Sequence, residues 1–386
     1  MENKKKILII GATGSVGCAA VEVVLANPDL FSVEGLVAKN SYKKLAEQGV
    51  KLNSKYALIE NESHFQVLKE ELKNTKIEVI AGRENIVNFI KSCEAERVLI
   101  ASSGAESIYY LQAALLANKD IAIANKESIV CAGSLFAECK KNFTGKIIPV
   151  DSEHSAIFQT LESSNLANIH NIILTSSGGP FYYYSETKLK SVTKAQALKH
   201  PKWQMGAKIS IDSATFMNKA LEVLEACYLF NLPAEKVNVI IERSCTMHGG
   251  VSYNDGSMLA NLSKPSMKIS TGYGLTYPKR QTSTVQPLNL LNTSLVFEKP
   301  NPYQQKIIAI AKEVFEQGGN YPLIFNTANE IAVEAFLNDR ISFTKILYMI
   351  QYSLEKLEFL QIQNLEDVII NYNIIKNKIS HYITHN

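Results

Sequence analysis

The segment Ile7-Leu8-Ile9-Ile10-Gly11-Ala12-Thr13-Gly14-Ser15-Val16-Gly17 joins a short β-branched run to a glycine-spaced turn, and Val21, Val24 and Leu25 continue at helical spacing toward Asn27. Strand, glycine turn and helix in that order place free backbone N–H groups and the positive end of a helix dipole where a pyrophosphate binds. A plain strand-to-helix turn is the structural alternative. Further runs at Phe31–Ala38, Arg97–Ala101 and Ile121–Asn125 alternate with amphipathic stretches over the first 150 residues. That alternation predicts βαβ units and a parallel sheet.

The glycine spacing is G-x-x-G-x-x-G, a variant associated with several NADP-dependent families. The second strand bears on the choice of dinucleotide. It ends in Ala38-Lys39-Asn40-Ser41, without the carboxylate that usually accepts from the ribose 2′-hydroxyl of NAD. A 2′-phosphate needs a cation there, so Lys39 favours NADPH. Ile121–Ala124 ends in Asn125-Lys126-Glu127-Ser128, at the strand end where ligands of open α/β sheets bind. Lys126 offers a cation to an oxygen-rich substrate, or belongs to a charged helix cap.

Lys146–Val150 ends in Asp151-Ser152-Glu153-His154. If the strand continues, Asp151 and Glu153 share one side, as carboxylates of an Mg²⁺ or Mn²⁺ site would. A solvated acidic turn is the other reading, and zinc is disfavoured because only His154 is near. In Asp212-Ser213-Ala214-Thr215-Phe216-Met217-Asn218-Lys219-Ala220-Leu221-Glu222, Asp212 or Ser213 is a plausible N-cap, and Asn218 and Glu222 share a helix face. Ser213, Asn218 and Lys219 suit a phosphate and Glu222 a metal; an exposed Lys219–Glu222 pair is the alternative. Ser176-Ser177-Gly178-Gly179-Pro180 adds hydroxyl and N–H donors for the same anion. His200-Pro201-Lys202-Trp203-Gln204-Met205-Gly206 holds the only Trp in a Pro/Gly-bounded loop and reads as a lid, within about 195–207.

The chain has 386 residues, 40 Lys+Arg against 37 Asp+Glu and 6 cysteines. A net charge of +3 is far from the basicity that binds nucleic acid. The cysteines are dispersed, without a C-x-x-C pair, and read as reduced thiols of a cytoplasmic protein. No apolar run approaches a bilayer span or a secretory leader. Helical spacing of Ile307, Ile308, Ala311, Val314 and Phe315 up to Gly318-Gly319, repeated in Ile346, Leu347, Ile350, Leu354 and Leu357, predicts a helical end. The expected organisation is therefore α/β: a Rossmann-like dinucleotide domain over 1–150, an α+β catalytic domain over 151–276, a linker over 277–302 and a helical domain over 303–386.

Taken in order, Gly11–Gly17, Ala124–Ser128, Pro149–Gln159, Ser177–Phe181, His200–Gly206, Ile209–Glu222 and Asn326–Glu330 resemble 1-deoxy-D-xylulose 5-phosphate reductoisomerase. The resemblance implies isomerisation and reduction of 1-deoxy-D-xylulose 5-phosphate to 2-C-methyl-D-erythritol 4-phosphate in non-mevalonate isoprenoid synthesis. NADPH and Mg²⁺ or Mn²⁺, with Co²⁺ as a further choice, would be the cofactors, and a homodimer the assembly. The implied metal ligands are Asp151, Glu153 and Glu222; Lys126, Glu153, His200 and Trp203 form the implied catalytic set. Substrate would also meet Ser152, Ser177, Met205, Ser213, Asn218, Lys219 and Glu222. NADPH would meet Gly11, Thr13, Gly14, Ser15, Val16, Gly17, Lys39, Asn40, Asn125, Glu127 and Gly206.

Three stretches depart from the family pattern. Glu242-Arg243-Ser244-Cys245 replaces His-Pro-Gln-Ser, Ser266-Met267-Lys268-Ile269-Ser270-Thr271 replaces Asp-Met-Arg-x-Pro-Ile, and Lys39 lacks the usual preceding glycine. The first two bear on packing behind the site and on attachment of the lid, the third on the 2′-phosphate contact. Two other functions compete: an NADP-dependent semialdehyde dehydrogenase using Cys131 as nucleophile, and a dinucleotide sensor without catalysis.

Overall fold

A computed structural model describes residues 4–199, 206–291 and 293–385, with the side chains of 163–165 and 385 outside that description. The chain forms two compact units. The first comprises Met1–Asn125, Asn142–Ser155 and Ser266–Pro287, and the second Lys126–Lys141, Ala156–Pro265 and Leu288–Asn386.

In the first unit, seven strands pair in parallel: β1 (Lys5–Ile10), β2 (Phe31–Ala38), β3 (Tyr56–Ile59), β4 (Glu78–Ala81), β5 (Arg97–Ile100), β6 (Asp120–Ile123) and β7 (Ile147–Pro149). Their order, β4-β3-β2-β1-β5-β6-β7, reverses beside β1. The crevice beyond the carboxyl ends of β1 and β5 is the ligand position of such a sheet. Ile7 and Ile9 of β1 pack with Val33, Leu36, Leu99 and Ala122 in one hydrophobic core. The parallel sheet of the sequence reading is present; β3 and β4, at four residues each, are too short to show a period.

Two stretches fall elsewhere than the sequence boundaries place them. The helix Met267–Thr276 lies in the first unit and packs against the helix Ser15–Ala26. Arg97, 2% exposed, holds its end: the guanidinium donates to the carbonyls of Gly274, Leu275 and Tyr277 at 3.1, 3.0 and 3.0 Å and pairs with Asp120 at 2.6 Å. Residues 277–302 are also more than a connection, because Phe297–Glu298 forms an edge strand of the second unit.

That second unit carries a mixed sheet of β8 (Ile169–Ser176), β9 (Val237–Glu242), β10 (Met247–Tyr253), β11 (Met258–Leu262) and β12 (Phe297–Glu298), ordered β11-β10-β8-β9-β12. Ile172, Leu174, Val237 and Val251 bury against Val223, Ala226 and Cys227 of the helix Met217–Phe230. The helical end is present as Pro302–Gln317, Tyr321–Leu337, Phe343–Lys356 and Leu365–His385. It falls in the same compact unit as this sheet, with Pro302–Gln317 packed on Met217–Phe230. Among the described residues no helix is long and apolar enough to cross a membrane.

Candidate functional site

The first unit builds a cleft beyond the carboxyl ends of β1, β2 and β5. After Ile10 the chain turns, with Gly11 N and Ala12 N both donating to Val37 O at 2.9 Å, and the helix starts at Ser15. A Cβ on Gly17 would lie 2.1 Å from Gly11 O, so only glycine lets helix and turn approach this closely. Gln48 Nε2 donates to Ala12 O at 3.1 Å and fixes the turn from behind. Gly11, Thr13, Gly14, Lys39, Ser102 and Glu106 are among the residues that line the cleft. Asn125 donates to Ser102 O and Gly104 O, at 2.9 and 3.1 Å, which ties it to the loop after β5. Asn40 Oδ1 accepts from Asn61 at 2.9 Å.

Three cleft-side groups escaped the sequence reading: Glu60, Arg83 and Glu106, all linked by ion pairs to Lys39 or to one another. Glu60 directly follows Ile59, the end of β3, and strand ends were the available signal.

Asp151 and Glu153 do not alternate along a strand. β7 stops at Pro149 and the helix Ser152–Thr160 begins immediately, because Ser155 N finds Asp151 O at 2.8 Å. Both acids therefore stand at a helix N-terminus, where the dipole favours their charge. Ser152 Oγ donates to Glu153 Oε2 at 2.5 Å.

In the second unit, Asp212 is not an N-cap. It lies within the helix Ala207–Thr215, which Gly206 caps and Phe216 ends at φ 67°; Met217–Phe230 then starts afresh. Asp212 is buried, paired with Lys208 at 2.7 Å and accepting from Asn329 at 2.8 Å. The shared face of Asn218 and Glu222 is present: their side chains hydrogen-bond, and Lys126 Nζ reaches Glu222 Oε1 at 2.9 Å and Asn218 Oδ1 at 3.1 Å.

Lys219 binds the other Glu222 oxygen and donates to Thr175 O at 2.5 Å. The side chains of Lys219 and Glu222 are 4% and 1% exposed, so the pair is interior rather than a surface feature. Two ammonium groups thus converge on one buried carboxylate.

Ser177 follows β8 in a loop whose hydroxyls accept backbone N–H groups, Gly178 N to Ser176 Oγ and Gly179 N to Ser177 Oγ, each at 3.2 Å. Gly179 has φ 69°, and a Cβ there would meet Ser213 O at 2.8 Å, so the Ser177 loop lies directly on the Ser213 backbone. Gln304 Nε2 holds the same loop through Gly178 O at 2.9 Å. No sequence pattern marks Gln304 for this task. His200, Trp203 and Met205 lie outside the described residues.

Glu127 is paired with Lys208 at 3.3 Å. Burial opposes its charge, yet Lys208 and its own backbone amide hold the carboxyl below its ordinary range. Cys131 is different. Burial, with Glu330 and Glu127 adding to it, pushes the thiol well above its usual value, and Asn326 Nδ2 lies 3.3 Å from Sγ. A nucleophilic thiolate needs the opposite environment.

The departures from the family pattern have local explanations. Glu242, buried, accepts from Ser244 N, Thr246 N and Met247 N at 2.8, 2.7 and 3.1 Å and ties the turn between β9 and β10. Ser266 caps the helix Met267–Thr276, accepting from Lys268 N. That stretch packs within the first unit on Ser15–Ala26.

Comparison with known proteins agrees with this layout. The family described as 1-deoxy-D-xylulose 5-phosphate reductoisomerase matches residues 7–133, and its C-terminal domain families match residues 147–230 and 262–377. The reductoisomerase of Phocaeicola vulgatus is 40% identical over 367 residues, covering 95% of this chain and 96% of the relative. That of Trichlorobacter lovleyi is 40% identical over 366 residues, covering 95% and 94%. The reductoisomerase structure from Zymomonas mobilis in complex with NADPH superposes with a TM-score of 0.93 at 34% identity, covering 99% of both chains. A DOX-P reductoisomerase structure in complex with NADPH, fosmidomycin and magnesium gives 0.92 at 31% identity, covering 98% of both. The chain belongs to the 1-deoxy-D-xylulose 5-phosphate reductoisomerase family.

Proposed function

We propose that this protein converts 1-deoxy-D-xylulose 5-phosphate and NADPH to 2-C-methyl-D-erythritol 4-phosphate and NADP⁺, with Mg²⁺ or Mn²⁺, or Co²⁺ in their place. The observation that carries the reading is Glu222, buried between Lys126 and Lys219, the latter also held by Thr175 O near the end of β8. A buried carboxylate with two lysines is costly unless it serves an anionic substrate and a cation.

Asp151 and Glu153, with Glu222, are the residues assigned to the cation. An all-carboxylate set is the donor chemistry of Mg²⁺ and Mn²⁺ and unlike that of a zinc centre. NADPH is assigned to Gly11, Thr13, Gly14, Ser15, Val16, Gly17, Lys39, Asn40, Asn125, Glu127 and Gly206. The close approach of Gly17 to Gly11 O, which leaves no room for a side chain, fits a pyrophosphate-binding turn. When bound, the cation supplies Lewis-acid polarisation of the ketone and NADPH the hydride.

The remaining work falls to side chains. Lys219, Asn218, Ser213 and Ser177 bind the phosphate, with an ammonium, an amide and two hydroxyls matched to its oxygens. Remote binding of this kind favours the transition state rather than only the ground state. Lys126, oriented by Glu222 and Asn218, donates to the substrate's carbonyl and hydroxyl oxygens. Ser152 and Glu153 bind the same end, where Glu153 holds or releases a hydroxyl proton. His200, Trp203 and Met205 are assigned to a loop that excludes water. Homodimerisation and a cytoplasmic location complete the proposal.

The test is NADPH oxidation by the purified chain on addition of deoxyxylulose phosphate. Turnover with Mg²⁺ or Mn²⁺ that a chelator abolishes is expected, and its absence would overturn the reading. Cys131→Ala is expected to keep turnover within about threefold, whereas a thioester mechanism would lose it entirely.

A further inference from the structure

The adenosine end of the dinucleotide cleft carries an apparent contradiction. Lys39 is the cation suited to a 2′-phosphate, yet Glu60 and Glu106 line the same cleft. An NAD site places its 2′-hydroxyl acceptor at the end of the second strand; Glu60 and Glu106 come from the ends of other strands, yet their charge likewise repels a phosphate. Lys39 Nζ lies 2.9 Å from Glu106 and 3.8 Å from Glu60.

Arg83, the first residue of the helix after β4, stands behind them. Its guanidinium reaches Glu60 at 2.7 Å and Glu106 at 3.1 Å and rests over the ring of Tyr109, 5.1 Å from the centroid. Tyr110 donates to the second Glu60 oxygen at 2.5 Å. Two cations and two carboxylates sum to zero. When Lys39 turns from Glu106 toward a 2′-phosphate, both carboxylates keep Arg83, and the cleft does not become net negative.

We propose that Arg83 is a positioning residue for cofactor choice: by holding Glu60 and Glu106 it releases Lys39 for the 2′-phosphate, and this balance sets the preference for NADPH over NADH. The inference rests on the NADPH reading above. Glu106 acts in the opposite sense, as a competitor for Lys39.

The experiment is calorimetric titration of the full chain with adenosine 2′,5′-bisphosphate and with 5′-AMP. Wild type is expected to prefer the bisphosphate. Arg83→Met should reduce that preference about tenfold, the size of one charge-assisted interaction, and leave 5′-AMP affinity within about twofold. Arg83→Lys should retain most of it, and Glu106→Gln should raise it about threefold. An unchanged preference in Arg83→Met with a wild-type melting temperature, or in Glu106→Gln where the arginine variant does not fold, would overturn the proposal. Wild-type protein that binds neither nucleotide would instead overturn the cofactor reading itself.

Discussion

Glu222 Oε1 sits 2.9 Å from Lys126 Nζ, and the two side chains are 1% and 7% exposed. Because Lys219 occupies the other oxygen, the carboxylate compensates two buried ammonium groups at once. Glu222→Gln removes that compensation, and breaking such an interior pair costs about 3–5 kcal/mol. Urea unfolding is expected to show a loss of that order. NADPH oxidation should fall by at least about a hundredfold, since the proposed cation site would also lose a ligand. A variant as active as wild type would remove Glu222 from the mechanism.

Gly17→Ala places a methyl group 2.1 Å from Gly11 O, a backbone atom that cannot step aside. The turn must open, at a cost of about 1–3 kcal/mol. Nucleotide affinity, read by fluorescence of bound NADPH, should drop more than about tenfold.

Gln304 holds Gly178 O and also completes the capping box at Asn301. Its replacement by Ala should cost about 1–2 kcal/mol in thermal unfolding. The loop of Ser177 then loses its anchor. Steady-state kinetics are expected to show KM for the sugar phosphate rising about fivefold with KM for NADPH unchanged.

Burial raises the Glu330 carboxyl above its ordinary 4.5, and Glu127 adds to this, while Lys208, Asn326 and Tyr372 act against it. The folded state therefore holds this proton more tightly than the unfolded chain. Stability falls as pH rises from about 4.5 toward the folded value. Glu330→Gln removes that fall, so its stability relative to wild type should grow across the window. Urea midpoints at about pH 5, 6 and 7 measure it; a constant difference would contradict the assignment.

The parallel sheet and its glycine turn were legible because a strand, a close backbone approach and a helix each leave a local residue pattern. So was the Asn218–Glu222 face, a matter of four-residue spacing. What local pattern cannot carry is the ending of one element and the start of another. Phe216 adopts φ 67° without a glycine to announce it, and Asp212 consequently lies inside a helix rather than at its start. Asp151 and Glu153 stand at a helix start and not along a strand for the same reason, since only Val150 and Asp151 separate β7 from the helix. The Glu60, Arg83 and Glu106 cluster joins the end of β3, the start of the helix after β4 and the turn after β5, and has no sequence spacing at all.

The carbonyls that satisfy Arg97 arrive 177 or more positions later in the chain. While the polypeptide is being made, β1 to β7 can emerge from the ribosome long before Gly274, Leu275 and Tyr277 do. Until then a core guanidinium has only Asp120, and the apolar surface of Ser15–Ala26 lacks the helix that covers it. Vectorial folding of a finished N-terminal domain is thus closed to this protein. Its dinucleotide unit can be completed only after Tyr277 has been synthesised, and with it much of the second unit.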